Sequence, residues 1–281
     1  MNGPVLVMGV VNVTPDSFSD GGRFFGTNAA VAHGLQLLRD GADVLDVGGE
    51  ATNPKVVPVS AEIELARILP VIEQLVAAGA NVSVDTTKAA VARAAVAAGA
   101  RWINDVSGGL FDPDMVGAIP VGTTYICGHL RGRSLAEVFS SENAAVTWQE
   151  VAKELGDRLA DLPSHVRATA WLDPGLGFGK GADPTTNLEL LRHAGDLEAA
   201  VGRPVMVGPS RKRFLRRWRG VPHTSAPSAP SAPSAPSDMT EAALDQATVE
   251  ACFEAISAGA KMVRVHNVAL LNTALTAYNK S

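Results

Sequence analysis

The chain reads as a single-domain (β/α)8 barrel of the α/β class. Three observations carry that reading: eight short apolar runs, a polar or charged residue at the end of nearly every run, and helical spacing between them. Buried parallel strands appear as continuous apolar runs rather than alternating ones, and barrel enzymes gather their chemistry at the C-terminal ends of their strands. The length of 281 residues suits one barrel, spanning residues 1–281, with an insertion.

The strand candidates follow in order. Val5 to Val11 ends at Asn12, Val44 to Val47 contains Asp46 and leads to Glu50, and Val82 to Val84 ends at Asp85. Trp102 to Ile103 leads into Asn104 and Asp105, and Thr124 to Cys127 leads to His129. Ala168 to Leu172 ends at Asp173, Val205 to Val207 leads to Ser210 and Lys212, and Met262 to Val265 carries Arg264 and ends at His266. Between them, Asn28 is suited to cap a helix through Arg39, Ser60 opens one that ends near Gly79, and Thr86 or Thr87 starts one that stops at Gly99. Gly-Ala pairs at Gly41-Ala42, Gly79-Ala80, Gly99-Ala100 and Gly259-Ala260 suit glycine-terminated helices that feed strands.

Composition restricts the alternatives. Hydrophobic residues make up 46%, and the 24 basic and 29 acidic residues are mixed along the chain, so no broad nucleic-acid or anionic-membrane surface is implied. Cys127 and Cys252 lack metal-ligand spacing, which makes free thiols in a reduced, cytoplasmic setting the plain expectation. No signal peptide is expected before the first strand, and no apolar stretch is long enough to span a membrane. Ser225 to Pro236 is four Ser-Ala-Pro triplets. Such a run cannot donate a regular ladder and buries little, so it is read as a solvated insertion after the seventh strand.

The chemistry-bearing motifs are four. The first loop, Asn12-Val13-Thr14-Pro15-Asp16-Ser17-Phe18-Ser19-Asp20-Gly21-Gly22, packs an amide, hydroxyls and carboxylates between turn residues. Asp173-Pro174-Gly175-Leu176-Gly177-Phe178-Gly179-Lys180 follows the sixth strand, Pro209-Ser210-Arg211-Lys212-Arg213-Phe214 the seventh, and Arg264-Val265-His266 closes the eighth. The Gly175 to Lys180 run lacks the P-loop spacing. Arg264 and His266, two apart on one strand face, suit phosphate oxygens.

In these motifs the chain resembles the dihydropteroate synthase family within the pterin-binding barrels, from about Val5 to Leu275 outside the Ser-Ala-Pro run. The resemblance implies a transferase of folate biosynthesis. It joins 4-aminobenzoate to 6-hydroxymethyl-7,8-dihydropterin diphosphate and releases pyrophosphate by a dissociative route. It implies pterin binding by Asp85, Asn104, Asp173, Phe178 and Lys212, and diphosphate binding by Asn12, Thr52, Arg264 and His266. It also implies a 4-aminobenzoate site of Thr52, Pro54, Phe18, Ser210 and Arg213, Mg2+ at Asn12, and catalytic roles for Asp16, Asp85, Asp173 and Lys212. A homodimer and sulfonamide competition belong to the same expectations.

Three departures from the family pattern stand out. Asn53 replaces the usual arginine of the second loop, Gly128-His129-Leu130 replaces Met-His-Met and would open space near the pterin, and Asn267 stands where aspartate is frequent. An amide cannot supply the charge or fork of arginine. Two other readings therefore stay open: a pterin-binding paralogue without synthase activity, and a methyltetrahydrofolate-binding methyltransferase-type barrel. A metal hydrolase barrel would want His-x-His on the first strand, where this chain has Asn12.

Overall fold

The computed structural model describes residues 4–14, 22–51, 58–140, 145–180, 184–218 and 240–278. Asp16, Phe18, Thr52, Asn53, Pro54 and the Ser-Ala-Pro run lie outside the described residues. The described chain alternates strands and helices: β1 Leu6–Asn12, α1 Gly22–Arg39, β2 Val44–Gly48, α2 Ala61–Ala77, β3 Val82–Asp85, α3 Ala89–Ala97 and β4 Trp102–Asp105. Then come β5 Thr124–Gly128, α4 Leu135–Ser140, α5 Trp148–Ala160, α6 Ser164–Thr169, β6 Trp171–Asp173, α7 Pro184–Arg192 and α8 Ala194–Val201. The chain continues through β7 Met206–Val207, α9 Arg213–Trp218, α10 Glu241–Ser257, β8 Met262–Val265 and α11 Val268–Tyr278. All paired strands are parallel, in the order β6-β5-β4-β3-β2-β1-β8-β7. A parallel bridge from Leu172 to Val205 joins the two ends and closes the barrel.

The Gly-Ala pairs act as expected. In each of the four, the glycine has φ between +85° and +104°. The alanine N–H bonds back to the carbonyl five residues earlier, as in Ala80 to Leu75 (3.0 Å) and Ala100 to Ala95 (3.0 Å). The glycine N–H takes the carbonyl three back, which completes a Schellman stop. Ser60 caps α2 by accepting from Ile63 N–H. Three boundaries differ from the sequence reading. Helix α1 begins at Gly22 rather than at an Asn28 cap; α3 begins at Ala89, because Thr86 Oγ1 instead accepts from Lys88 N–H within the turn; and Ala168 and Thr169 belong to α6 or its end, not to β6.

The interior has two chemically distinct levels. Met8, Val44, Ile126, Met206 and Met262 come from five strands and pack together with Trp102 and Trp171, so they fill the barrel floor. Above them, on the same inward faces, the residues are Asp46, Ser83, Asn104, Asp173 and Arg264. The larger core lies outside the sheet, between strands and helices. The floor therefore carries packing, and the open end is left for polar groups.

Gly79 and Gly99 separate conformational from steric cost. A Cβ at Gly99 would stand 2.7 Å from Val76 Cγ1, whereas one at Gly79 would meet nothing within 4 Å. Gly79→Ala is expected to cost about 1 kcal/mol from positive φ alone, and Gly99→Ala about 2–3 kcal/mol. Urea unfolding midpoints at unchanged slope measure the difference; equal losses would contradict the steric assignment.

Candidate active site

The strand ends bring together a charge network that spans the barrel mouth. Arg264 of β8 donates from Nε to Asp46 Oδ2 of β2 (2.5 Å) and from Nη2 to Asp85 Oδ2 of β3 (2.6 Å). Asn104 of β4 donates from Nδ2 to the same Asp46 oxygen (2.9 Å). The fork that the sequence reading gave to diphosphate thus clasps two carboxylates, because buried carboxylates need a cation in place. Burial works against the charge on Arg264, but Asp46 and Asp85 outweigh it and hold its pKa above the ordinary value. Burial raises Asp85, Arg264 and Lys212 pull it down, Asp46 and Glu64 push it up, and the result is about 7.

The loop after β6 supplies Asp173 and Phe178. Asp173 is raised by burial, against the pull of the Gly175 N–H bond to its Oδ1 (2.8 Å) and of Lys212 and Arg264. Lys212 from the loop after β7 places its amine 3.9 Å from the Phe178 ring centre. Burial lowers Lys212 to about 8, with Arg264 adding to the fall and Asp173 and Asp85 opposing it. Asp85, Asn104, Asp173, Phe178 and Lys212 therefore do converge on one mouth.

Beneath that loop lies a buried lysine that sequence reasoning missed. Lys180 is 2% exposed and directs its amine at three acceptors: His129 Nδ1 (2.8 Å), His129 O (3.2 Å) and Phe178 O (3.2 Å). Three N–H bonds meet three acceptors, so His129 must carry its proton on Nε2, which donates to Glu154 (2.9 Å). Burial, with Lys180 and Arg158 beside it, lowers His129 to about 3 and keeps it neutral. Gly175 packs so closely on His129 that a Cβ would stand 1.8 Å from the carbonyl oxygen. The Gly-rich run is a seal over the β5 end.

Around β7 and β8 the arrangement differs from the sequence reading. The Ser210 hydroxyl, assigned there to 4-aminobenzoate, accepts from His266 N–H (3.2 Å) and lies 2.8 Å from His266 Nδ1. In the tautomer in which the hydroxyl gives its proton to Nδ1, His266 keeps Nε2–H as a donor. Burial and nearby Arg264 lower His266 to about 3, so it offers a hydrogen bond and not a charge. Arg211 has φ of 57°, and its guanidinium grips Asp245 of α10 (3.0 and 3.3 Å). Asn267 donates to the same Asp245 (3.0 Å). Arg213 is exposed at the start of α9.

Two further points correct or complete the sequence reading. Gly128 does not open space, since a Cβ there would stand 2.4 Å from the Val106 carbonyl oxygen. Cys127 is buried, and burial pushes its thiol up to about 12, which excludes a nucleophilic role at ordinary pH. Asn12 is exposed at the end of β1. Among the described residues no group of three or more His, Cys, Asp or Glu is placed to hold a metal. No helix among the described residues is long and apolar enough to cross a membrane.

The barrel mouth sets three carboxylates and an amide against a lysine and an arginine, and the comparisons place the chain in the class of pterin-binding enzymes. The family model described as pterin binding enzyme matches residues 8–266. A dihydropteroate synthase of Mycobacterium leprae is 43% identical over 76% of this chain and 75% of its own. The Xanthomonas albilineans dihydropteroate synthase with 4-aminobenzoic acid superposes with a TM-score of 0.81 at 37% identity, covering 99% of this chain and 93% of that one. The same enzyme in complex with 7,8-dihydropteroate gives 0.78 at 36% identity over 99% and 93%. The chain belongs to the dihydropteroate synthase family, transferases of folate synthesis.

Lys180→Met is expected to leave three buried acceptors unpaired and to cost about 2–4 kcal/mol. A denaturant midpoint equal to that of the unaltered chain would show that Lys180 does not hold the loop.

Proposed function

We propose that this chain condenses 6-hydroxymethyl-7,8-dihydropterin diphosphate with 4-aminobenzoate to give 7,8-dihydropteroate and pyrophosphate. The observation that carries the reading is the convergence of Asp85, Asn104, Asp173 and Lys212 at the barrel mouth, with Arg264 and His266 on the adjoining strand. A buried pterin would lose its water hydrogen bonds, and carboxylate and amide groups at its edge replace them. The Lys212 amine above Phe178 covers the ring's polar side.

In the proposed route the methylene carbon–oxygen bond breaks first. Negative charge grows on the departing diphosphate, where the Nε2–H of His266 is proposed to donate and the Arg264 guanidinium, with Nε and Nη2 held by Asp46 and Asp85, contributes its charge at longer range. Positive charge spreads over the pterin methylene and ring, where Asp85 and Asp173 stabilise it; Asp16 of the first loop is a further candidate. The 4-aminobenzoate amine then attacks the methylene carbon and loses a proton. The carboxylate of 4-aminobenzoate is proposed to lie toward Arg213 and the first two loops, with Phe18, Thr52 and Pro54, beside Ser210, whose hydroxyl is bonded to His266. Asn12 would hold Mg2+ by its amide oxygen, with Thr52 beside the diphosphate, as suits a hard cation with few protein ligands. When bound, that ion neutralises diphosphate charge. Sulfonamides, as mimics of 4-aminobenzoate, are the proposed competitors, and a cytoplasmic homodimer is the proposed state.

Pyrophosphate release from the pterin diphosphate, measured with and without 4-aminobenzoate, tests the reading. Release that needs 4-aminobenzoate and yields dihydropteroate is expected; pterin binding without turnover would instead identify a non-synthase paralogue. A second expectation concerns pH. Asp85 must be ionised to accept from the pterin and Lys212 must be charged, so kcat/KM should rise through about 7 and fall through about 8. Asp85→Asn should remove the acidic limb; an acidic limb that persists would assign it to another group.

A further inference from the structure

One buried carboxylate in the barrel has no place in the proposed chemistry. Asp46 is 0% exposed, and its Oδ2 accepts both from Asn104 Nδ2 (2.9 Å) and from Arg264 Nε (2.5 Å). Its Oδ1 has no hydrogen-bond partner among the described residues, and neither has Ser83 Oγ, its register neighbour on β3. Ser83 is also 0% exposed. A carboxylate oxygen left unpaired inside a protein costs stability, and a well-packed apolar side chain would hold the strand at lower cost. Packing is therefore a poor account of Asp46.

Direction is a better one. The register aligns Gly48 with Asp85 and Asp85 with Asn104, so Asp46 lies one pleat below the level of Asn104. An asparagine amide has two ends of similar shape and opposite chemistry, one accepting and one donating. Asp46, when ionised, only accepts. It therefore draws the Nδ2 end downward and turns Oδ1 up, toward the open end of the barrel. The same carboxylate oxygen takes Arg264 Nε while Arg264 Nη2 reaches Asp85. One atom thus sets the orientation of a heterocycle-binding amide and of the guanidinium plane. A neutral amide at position 46 offers both donor and acceptor, and so removes the instruction.

We propose that Asp46 is a positioning residue of the pterin site, an acceptor-only group that locks the Asn104 amide with Oδ1 facing the ligand and aligns Arg264 beside it. The assignment rests on the pterin reading of the mouth. Asp46 touches neither the ligand nor the reacting atoms in this account, and acts through Asn104 and Arg264.

The test begins with calorimetric binding of a 7,8-dihydropterin to the unaltered protein, which judges the pterin reading alone. Asp46→Asn is then expected to weaken that binding about ten- to a hundredfold, with the melting temperature little changed. It should also move the acidic limb of the kcat/KM profile to lower pH, because Asp46 is one of the charges that raise Asp85. That shift reports the lost charge, and the orientation of Asn104 is read from the exchange and from its amide resonances. The exchange Asp46→Asn with Asn104→Asp keeps one carboxylate and one amide in contact, and should bind pterin better than Asn104→Asp alone. This comparison also serves if Asp46→Asn fails to fold. If the unaltered protein binds no pterin, side-chain amide resonances of Asn104 remain informative: a single locked orientation is expected, lost in Asp46→Asn. Unchanged pterin affinity in Asp46→Asn, no recovery in the exchange, or an Asn104 amide signature indifferent to Asp46 would each overturn the proposal.

Discussion

The structure depends on one arginine placed inside a barrel. Arg264 lies on β8 with its guanidinium between Asp46 and Asp85, and it also influences Asp173. Each buried ion forfeits several kcal/mol of hydration, so three carboxylates at one mouth are tenable only with a cation among them. That arrangement is not a means to stability. Asp85 sits near neutrality and Lys212 has fallen toward it because neither is fully compensated. Groups held in such balance respond to a ligand that brings its own charge and hydrogen bonds, as active-site groups do.

The network needs a rigid frame, and the frame is built from two kinds of contact. Below it, the floor of Met8, Val44, Ile126, Met206 and Met262 excludes water and fixes the strands. Around it, charged side chains staple loops to helices. Arg158 of α5 donates to Gly128 O (2.7 Å) and Leu130 O (2.5 Å), Lys180 ties the β6 loop to His129, and Asp245 of α10 holds Arg211. Arg211 occupies a left-handed conformation that costs a non-glycine residue about 1 kcal/mol or more, and its grip on Asp245 offsets this. Its neighbours Ser210 and Lys212 are the ones that face the site. Strain is accepted at the residue that aims them.

Much of this was legible in the sequence, and the reason is periodicity. Apolar runs that end in polar residues locate strand ends, and Gly-Ala pairs locate helix stops, because both signals are local. Asp85, Asn104, Asp173 and Lys212 could be placed at or just beyond strand ends for the same reason, whereas the pterin role of Lys212 came from the resemblance to the family. What the sequence did not reveal is who pairs with whom. Arg264 and Asp46 are 218 residues apart, and only barrel closure makes them neighbours. Alternation says that Asp46 points inward; it does not say that Arg264 will spend its fork there rather than on phosphate. Lys180 read as the tail of a glycine motif, although its amine turns back beneath the loop to His129. Ser210 read as an anion contact, and its hydroxyl's bond to His266, 56 residues along the chain, was not visible in the sequence.

The departures from the family pattern look different once their surroundings are known. Gly128 is a packing requirement, since the Val106 carbonyl occupies the space a side chain would need, and Arg158 then fastens the Gly128 carbonyl from outside. Asn267 suits its neighbour for an electrostatic reason. Its amide donates to Asp245, and an aspartate there would set two carboxylates face to face with only Arg211 to separate them. An amide avoids that repulsion and leaves the Arg211 grip undivided. Two of the three departures are thus adjustments of the scaffold that leave the groups at the mouth in place. The third, Asn53, lies outside the described residues. The chemical question that sets a synthase apart from a pterin-binding paralogue therefore narrows to one side chain: whether an amide suffices where an arginine is usual.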